Sequence, residues 1–109
     1  MNETTQDLLT RPLHLDDISE AAKALEGVVV RTPLLENLDI NKQLSGRLLI
    51  KAECMQRTGA FKIRGAYNRM RQMSNSELKR GAITYSSGNH AQGLALAAQL
   101  LGSSSLIVM

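Results

Sequence analysis

Residues 82 to 109 follow an order of elements that few folds accommodate. Ala82-Ile83-Thr84-Tyr85 reads as a strand, and Ser86-Ser87-Gly88-Asn89 as a tight polar turn. His90 to Leu101 reads as a helix with Ala91, Leu94, Ala95, Ala98 and Leu101 on its inner face; Gly102 ends it. Ser105 to Met109 then begins a second strand. Strand, helix, strand is a βαβ unit, since parallel strands need a crossover rather than a tight turn. It implies an α/β class and a parallel sheet that needs covering on both faces. The sequence stops as its second strand begins, so we expect an incomplete α/β domain.

The upstream sequence supplies shorter pieces. Asp17, with Glu20 three residues on, is placed to cap a helix whose apolar face is Ile18, Ala21, Ala22 and Leu25, ended by Gly27. Val28-Val29-Val30 reads as a short extended run, and Pro33 stops helical continuation. Asn37 is placed to cap a helix over 38–44 that closes near Gly46. Leu48-Leu49-Ile50 is a buried-strand candidate, and Met55 to Gly59 is turn-like. Helical periodicity runs from Ala60 to Met73, with Ile63, Ala66 and Met70 on one stripe. Ser74 and Glu77 form a capping-box pair for a single turn ending at Gly81. Only Met1 to Thr10 reads as disordered.

Composition bounds the function classes. A chain of 109 residues holds one small core. Phe61, Tyr67 and Tyr85 are its three aromatics, so that core must use aliphatic side chains. The single cysteine, Cys54, excludes an internal disulfide, lacks partners for a metal site and suits a reducing, cytoplasmic setting. The sequence has no secretory signal pattern and no apolar run long enough to span a bilayer. The net charge is +3 and is concentrated between Arg57 and Arg80. That stretch lacks the interleaved aromatics of nucleic-acid binders, and we read it as a solvated helix face with one or two residues turned to an anion.

Two segments can carry chemistry. In Arg57-Thr58-Gly59-Ala60-Phe61-Lys62-Ile63-Arg64-Gly65-Ala66, a lysine stands at the mouth of a helix against Phe61 and Ile63. Apolar neighbours would partly desolvate its ammonium and free the amine as a nucleophile for a carbonyl. By spacing alone, a solvated lysine is the ordinary alternative. In Ser86-Ser87-Gly88-Asn89-His90-Ala91-Gln92-Gly93, the turn lies between the C-terminal end of a parallel strand and a helix N-terminus. Open α/β sheets bind ligands there, and the helix dipole favours an anion. The plain alternative is that Ser87 or Asn89 only caps the helix. His90 is more simply a structural histidine than a base. Ser87 and His90 lack the Gly-x-Ser-x-Gly context of a hydrolase.

Together the two segments resemble fold-type II pyridoxal-phosphate enzymes of the threonine dehydratase and serine racemase group. Thr58 to Ala66 is similar to that group's lysine motif and Ser86 to Gly93 to its asparagine loop. Thr32-Pro33-Leu34 also resembles the group, and Met55 to Gly59 is most similar to catabolic threonine dehydratases. The resemblance implies pyridoxal 5'-phosphate as cofactor, held covalently by Lys62, which then acts as base at the substrate Cα. It implies Phe61 beside the cofactor and Asn89 hydrogen-bonded to the cofactor's ring hydroxyl. It implies Ser86, Ser87, Gly88, Asn89 and His90 around the substrate carboxylate, and Ser87 as an opposite-face acid/base.

The implied reaction converts threonine or serine to a 2-keto acid and ammonia. Serine racemization and dehydration of a hydroxyaspartate-like substrate are the sister reactions. A truncated piece that only binds or dimerises is the non-enzyme alternative. The resemblance divides the chain into a tail, 1–14, a lysine-bearing segment of the large domain, 15–73, and the start of a small α/β domain, 74–109. It also implies a homo-oligomer at full length and a phosphate-binding loop beyond Met109. On that basis the 109 residues alone should be inactive.

Overall fold

The computed structural model describes residues 11–109, so the expectation for Met1 to Thr10 lies outside the described residues. Helix α1 spans Leu15–Ala24 and opens on His14. Asp17 stands three residues inside, not at the cap. Its carboxylate accepts the His14 backbone N–H at 2.8 Å and a forked pair of hydrogen bonds from Arg11. These contacts hold the Asp17 carboxyl well below the usual carboxylate range, the Arg11 hydrogen bond contributing most. Gly27, at φ +74°, turns the chain just after the helix.

The expected strand at Val28 to Val30 does not form. Val28 and Val29 donate back to Leu25 in a turn, and Val30 finds its partner in a side chain. Gln56 accepts the Val30 N–H at 2.9 Å and donates to the Val30 carbonyl at 2.8 Å. A buried amide thus replaces the neighbouring strand that this backbone would otherwise need.

Strand β1 (Leu34–Glu36) and strand β2 (Leu49–Lys51) pair antiparallel, with helix α2 (Leu38–Leu44) between them. Asn37 caps α2 as expected, accepting from the backbone of Asp39 and Ile40. The strand read at Leu48 to Ile50 is real but shifted by one residue, and it is exposed rather than buried. The strand at Leu34 went unread, because three residues around a proline carry no measurable alternation.

The core lies downstream. Two short 3₁₀ turns, Glu53–Met55 and Arg57–Gly59, lead into helix α3 (Lys62–Met70). Helix α4 (Asn75–Arg80) follows, opened by the expected Ser74–Glu77 capping box. Strand β3 (Ala82–Tyr85), helix α5 (Asn89–Leu100) and strand β4 (Ser105–Val108) form the βαβ unit, with β3 and β4 parallel in register Ala82 to Ser105. Ile63, Ala66 and Met70 of α3 pack against Leu94, Ala97 and Ala98 of α5. Ala95, expected on the inner face, is exposed; Gly93 and Ala97 are buried instead. The buried stripe of α5 is the one that meets α3, through Gly93, Leu94, Ala97 and Ala98.

On one face of the β3–β4 ladder, Ile83, Tyr85, Leu106 and Val108 are all exposed. The α/β class is as the sequence indicated, with only one side of the parallel pair covered by a helix. No helix among the described residues is long and apolar enough to cross a membrane.

Ile63 is fully buried. Ile63→Ala should cost about 2–5 kcal/mol by cavity formation, measured by urea unfolding. Ala95→Ser should stay within about 0.5 kcal/mol.

Candidate active site

Lys62 is the first residue of α3, and its Nζ stands 5.1 Å from the centroid of the Phe61 ring. The desolvation expected from its apolar neighbours is absent. Ile63 turns into the core, Phe61 is itself 57 % exposed, and Lys62 is exposed. What places the lysine is backbone. The strained approach contains Thr58 at φ +63° and Gly59 at φ +70°. A β-branched residue in the left-handed region is costly, and the buried Thr58 Oγ1 has no hydrogen-bond partner among the described residues.

A polar strap fixes this approach to the N-terminal segment. Arg64 donates to both Glu53 carboxylate oxygens, at 2.8 and 2.7 Å, and the Thr32 hydroxyl donates to Glu53 at 2.5 Å. Lys51 donates to the Thr32 carbonyl at 3.0 Å, and Arg57 to the Val28 carbonyl at 2.8 Å. Thr32 and Gln56 are each only 4 % exposed. The Arg64 guanidinium holds Glu53 down to about 2; burial opposes this and the Thr32 hydrogen bond assists.

An acid, Glu53, therefore sits beside the lysine motif. Its signal was unreadable, because the partners come from separate stretches at Thr32, Glu53 and Arg64. The basic run is largely solvated, as expected, with Arg57, Lys62, Arg69, Lys79 and Arg80 exposed; Arg57 and Arg64 also donate to internal acceptors, and Arg71 bonds Asn68.

The second segment opens α5. Gly88 occupies the cap position, and no side chain caps this helix. The reading of Ser87 or Asn89 as a simple cap is therefore wrong. Asn89 is the first helical residue, and Ser87, Gly88 and Asn89 are exposed. The Ser86 backbone N–H is tied to the Val108 carbonyl at 2.9 Å, and its hydroxyl accepts from Gly88 N–H at 3.3 Å. The first-turn N–H groups of Asn89, His90 and Ala91 have no acceptor within the helix. A Cβ built on Gly88 meets nothing within 4 Å, so the turn is open to close approach.

The two segments meet through Gly93, whose place for a Cβ is filled by the Lys62 backbone. Asn89 is four residues earlier, roughly 6 Å along the helix axis. His90 lines a groove of about 430 Å³ between α3, β3 and α5, together with Thr84, Met70 and Leu94. A second cavity of about 390 Å³ lies between α1 and α3, edged by Asp17, Glu20 and Arg69. Lys62 lines neither of them and stands in the open.

The fold thus brings together an exposed amine, an aromatic ring beside it and an uncapped helix start one turn from the Gly93–Lys62 contact. The profile of the family described as "Pyridoxal-phosphate dependent enzyme" matches residues 25–109, and the chain belongs to that family. It is 48% identical over 95 residues to an L-threonine ammonia-lyase of Thermotoga maritima, covering 87% of this chain and 24% of that protein. It is 44% identical to an L-threo-3-hydroxyaspartate ammonia-lyase of a Pseudomonas species, covering 85% and 29%. The solved structure of maize serine racemase matches with a TM-score of 0.80 at 41% identity, covering 85% of this chain and 29% of that one. The chain thus spans about a quarter to a third of the length of these relatives.

The residues present fit the cofactor of the family. Lys62 offers an exposed Nζ within reach of an aldehyde, Phe61 a flat wall, and the uncapped start of α5 unspent N–H donors.

The Glu53 carboxyl is depressed in the folded chain from 4.5 to about 2. Its contribution to stability is therefore complete above about pH 4.5 and disappears as pH falls toward 2. Glu53→Gln should flatten part of that acid limb. It should also lower stability at neutral pH by about 1–3 kcal/mol, as Arg64 loses its acceptor. Urea unfolding across pH reads both effects.

Proposed function

We propose that this chain carries the cofactor lysine and the substrate-carboxylate turn of a pyridoxal-phosphate-dependent ammonia-lyase that converts threonine or serine to a 2-keto acid and ammonia. The uncapped α5 start, one helical turn from the Gly93–Lys62 contact, is the observation that carries the reading. It supplies N–H donors and a positive dipole end for a carboxylate next to a free amine. The relatives named above include two ammonia-lyases, which supports the same reaction class.

The cofactor supplies the electron sink that makes the substrate α-proton acidic. Lys62 Nζ would hold the cofactor and, once the substrate amine had displaced it, would take that proton. The backbone N–H groups of Ser87, Asn89 and His90 would orient the substrate carboxylate, with Ser86 buttressing the turn through Val108 and Gly88. The Asn89 side chain would hydrogen-bond the cofactor's ring hydroxyl, and Phe61 would pack beside the cofactor. The division at residues 73 and 74 belongs to this reading, with the α3–α5 contact as the seam between the two parts. So do a cytoplasmic location and a homo-oligomeric full-length protein.

Racemization of serine is the second reading. Ser87 is exposed and its hydroxyl is uncommitted among the described residues, as an opposite-face acid would need. The likeness to maize serine racemase supports it too.

The test is borohydride trapping of the full-length protein with pyridoxal phosphate, followed by product analysis with threonine, serine and 3-hydroxyaspartate. The expected result is an adduct at Lys62, lost in Lys62→Ala, and 2-keto acid with ammonia from threonine or serine. D-serine as the main product, abolished by Ser87→Ala, selects the racemase. An adduct spread over other lysines with no turnover of any substrate defeats both readings.

A further inference from the structure

Gly93 is the fifth residue of α5, inside a helix where glycine costs roughly 1 kcal/mol against alanine. Its reason is steric. A Cβ there would lie 2.9 Å from the Lys62 carbonyl carbon, 3.0 Å from the Ile63 nitrogen and 3.1 Å from the Lys62 Cβ. Two of those three atoms are backbone and cannot rotate aside. Gly65 provides the contrast within the facing helix, since a Cβ there meets nothing within 4 Å.

We infer that Gly93 is a positioning residue for Lys62: the missing Cβ lets the first turn of α3 seat directly on α5 and fixes the height of Lys62 relative to the Ser86–Asn89 turn. Restoring an ordinary contact, at 3.4 Å or more, would open the two helices by about 0.5 Å at this point. The bare backbone of α5 thus sets the distance between the amine and the open N–H groups, which belong to the same helix. Its catalytic consequence rests on Lys62 being the cofactor lysine. The contact itself does not.

The test compares Gly93→Ala, Gly65→Ala and Ala97→Gly in the full chain. Ala97 is fully buried in the same α3–α5 core, so its loss supplies matched destabilisation away from Lys62. Three quantities are read: the melting temperature, the rate of borohydride-trapped pyridoxal-phosphate addition at Lys62, and amide hydrogen exchange at Lys62 and Ile63. Gly93→Ala should slow trapping at Lys62 about tenfold or more while other lysines react as before, and should speed exchange at Lys62 and Ile63. Gly65→Ala and Ala97→Gly should leave both Lys62 readouts at the wild-type level.

The inference is overturned if folded Gly93→Ala traps and exchanges like wild type, or if Ala97→Gly depresses Lys62 equally. Gly93→Ala is also made in the Gly65→Ala background, which restores helix propensity. A chain that still does not fold there reduces Gly93 to a packing residue and overturns the positioning role. If wild-type Lys62 is not trapped selectively, the cofactor reading fails by itself, and amide exchange still decides the Gly93 contact.

Discussion

The close seating of α3 on α5 is the contact on which the rest of the structure depends. It buries the stripe Ile63, Ala66 and Met70 against Leu94, Ala97 and Ala98, and these six residues are the hydrophobic core. Small side chains dominate the α5 side. Dispersion and burial per contact are modest there, so the stabilisation has to come from proximity. At Gly93 the two backbones lie too close for a Cβ, and that point falls at Lys62. Core packing and placement of the reactive amine are therefore one event in this chain. A side chain that opened the contact at Gly93 itself would move the lysine before it unfolded the domain.

The distribution of helix caps separates scaffold from site. Among the described residues, the helices away from Lys62 begin with side-chain acceptors: Asp17 serves α1, Asn37 serves α2, and Ser74 with Glu77 serves α4. The two helices that bear the site, α3 and α5, begin at Phe61 and Gly88 with none. A missing cap costs about 1 kcal/mol of helix stability, and here it occurs twice within one small core. Leaving those N–H groups unspent makes physical sense where a ligand's anionic groups complete them. The strained Thr58 adds to the same local cost.

How much of this was legible in the sequence depended on the range of the interaction involved. Caps and periodicity act over a turn or two, and the sequence placed α2, α3, α4, β3 and α5 within a few residues of where they lie. The Ser86–Gly93 and Thr58–Ala66 segments were readable because each is contiguous. Three things were not. Val28 to Val30 reads as a strand by propensity, yet its hydrogen-bonding partner is the Gln56 side chain, 26 residues away. The desolvation of Lys62 was inferred from neighbours in sequence, whereas Ile63 faces the core and Lys62 faces solvent. Glu53 was invisible as part of the site, because only the fold brings it to Arg64.

The Glu53–Arg64 strap explains why an ion pair stands where an apolar contact would serve stability as well. A half-buried pair of this kind gains little net free energy over a well-packed apolar one. What it adds is direction. The guanidinium fork engages both carboxylate oxygens, and one arm also reaches the Val30 carbonyl. Thr32 and Lys51 fix the same carboxylate and its surroundings from the other side. An apolar patch would let the 53–61 turns slide over the Val28–Thr32 segment, and with them the N-terminus of α3. Two constraints of different kinds thus converge on Lys62: a steric one from Gly93 beneath it and a directional one from Arg64 two residues along. Neither depends on burying the lysine itself, which is how the amine stays exposed and still has a fixed address.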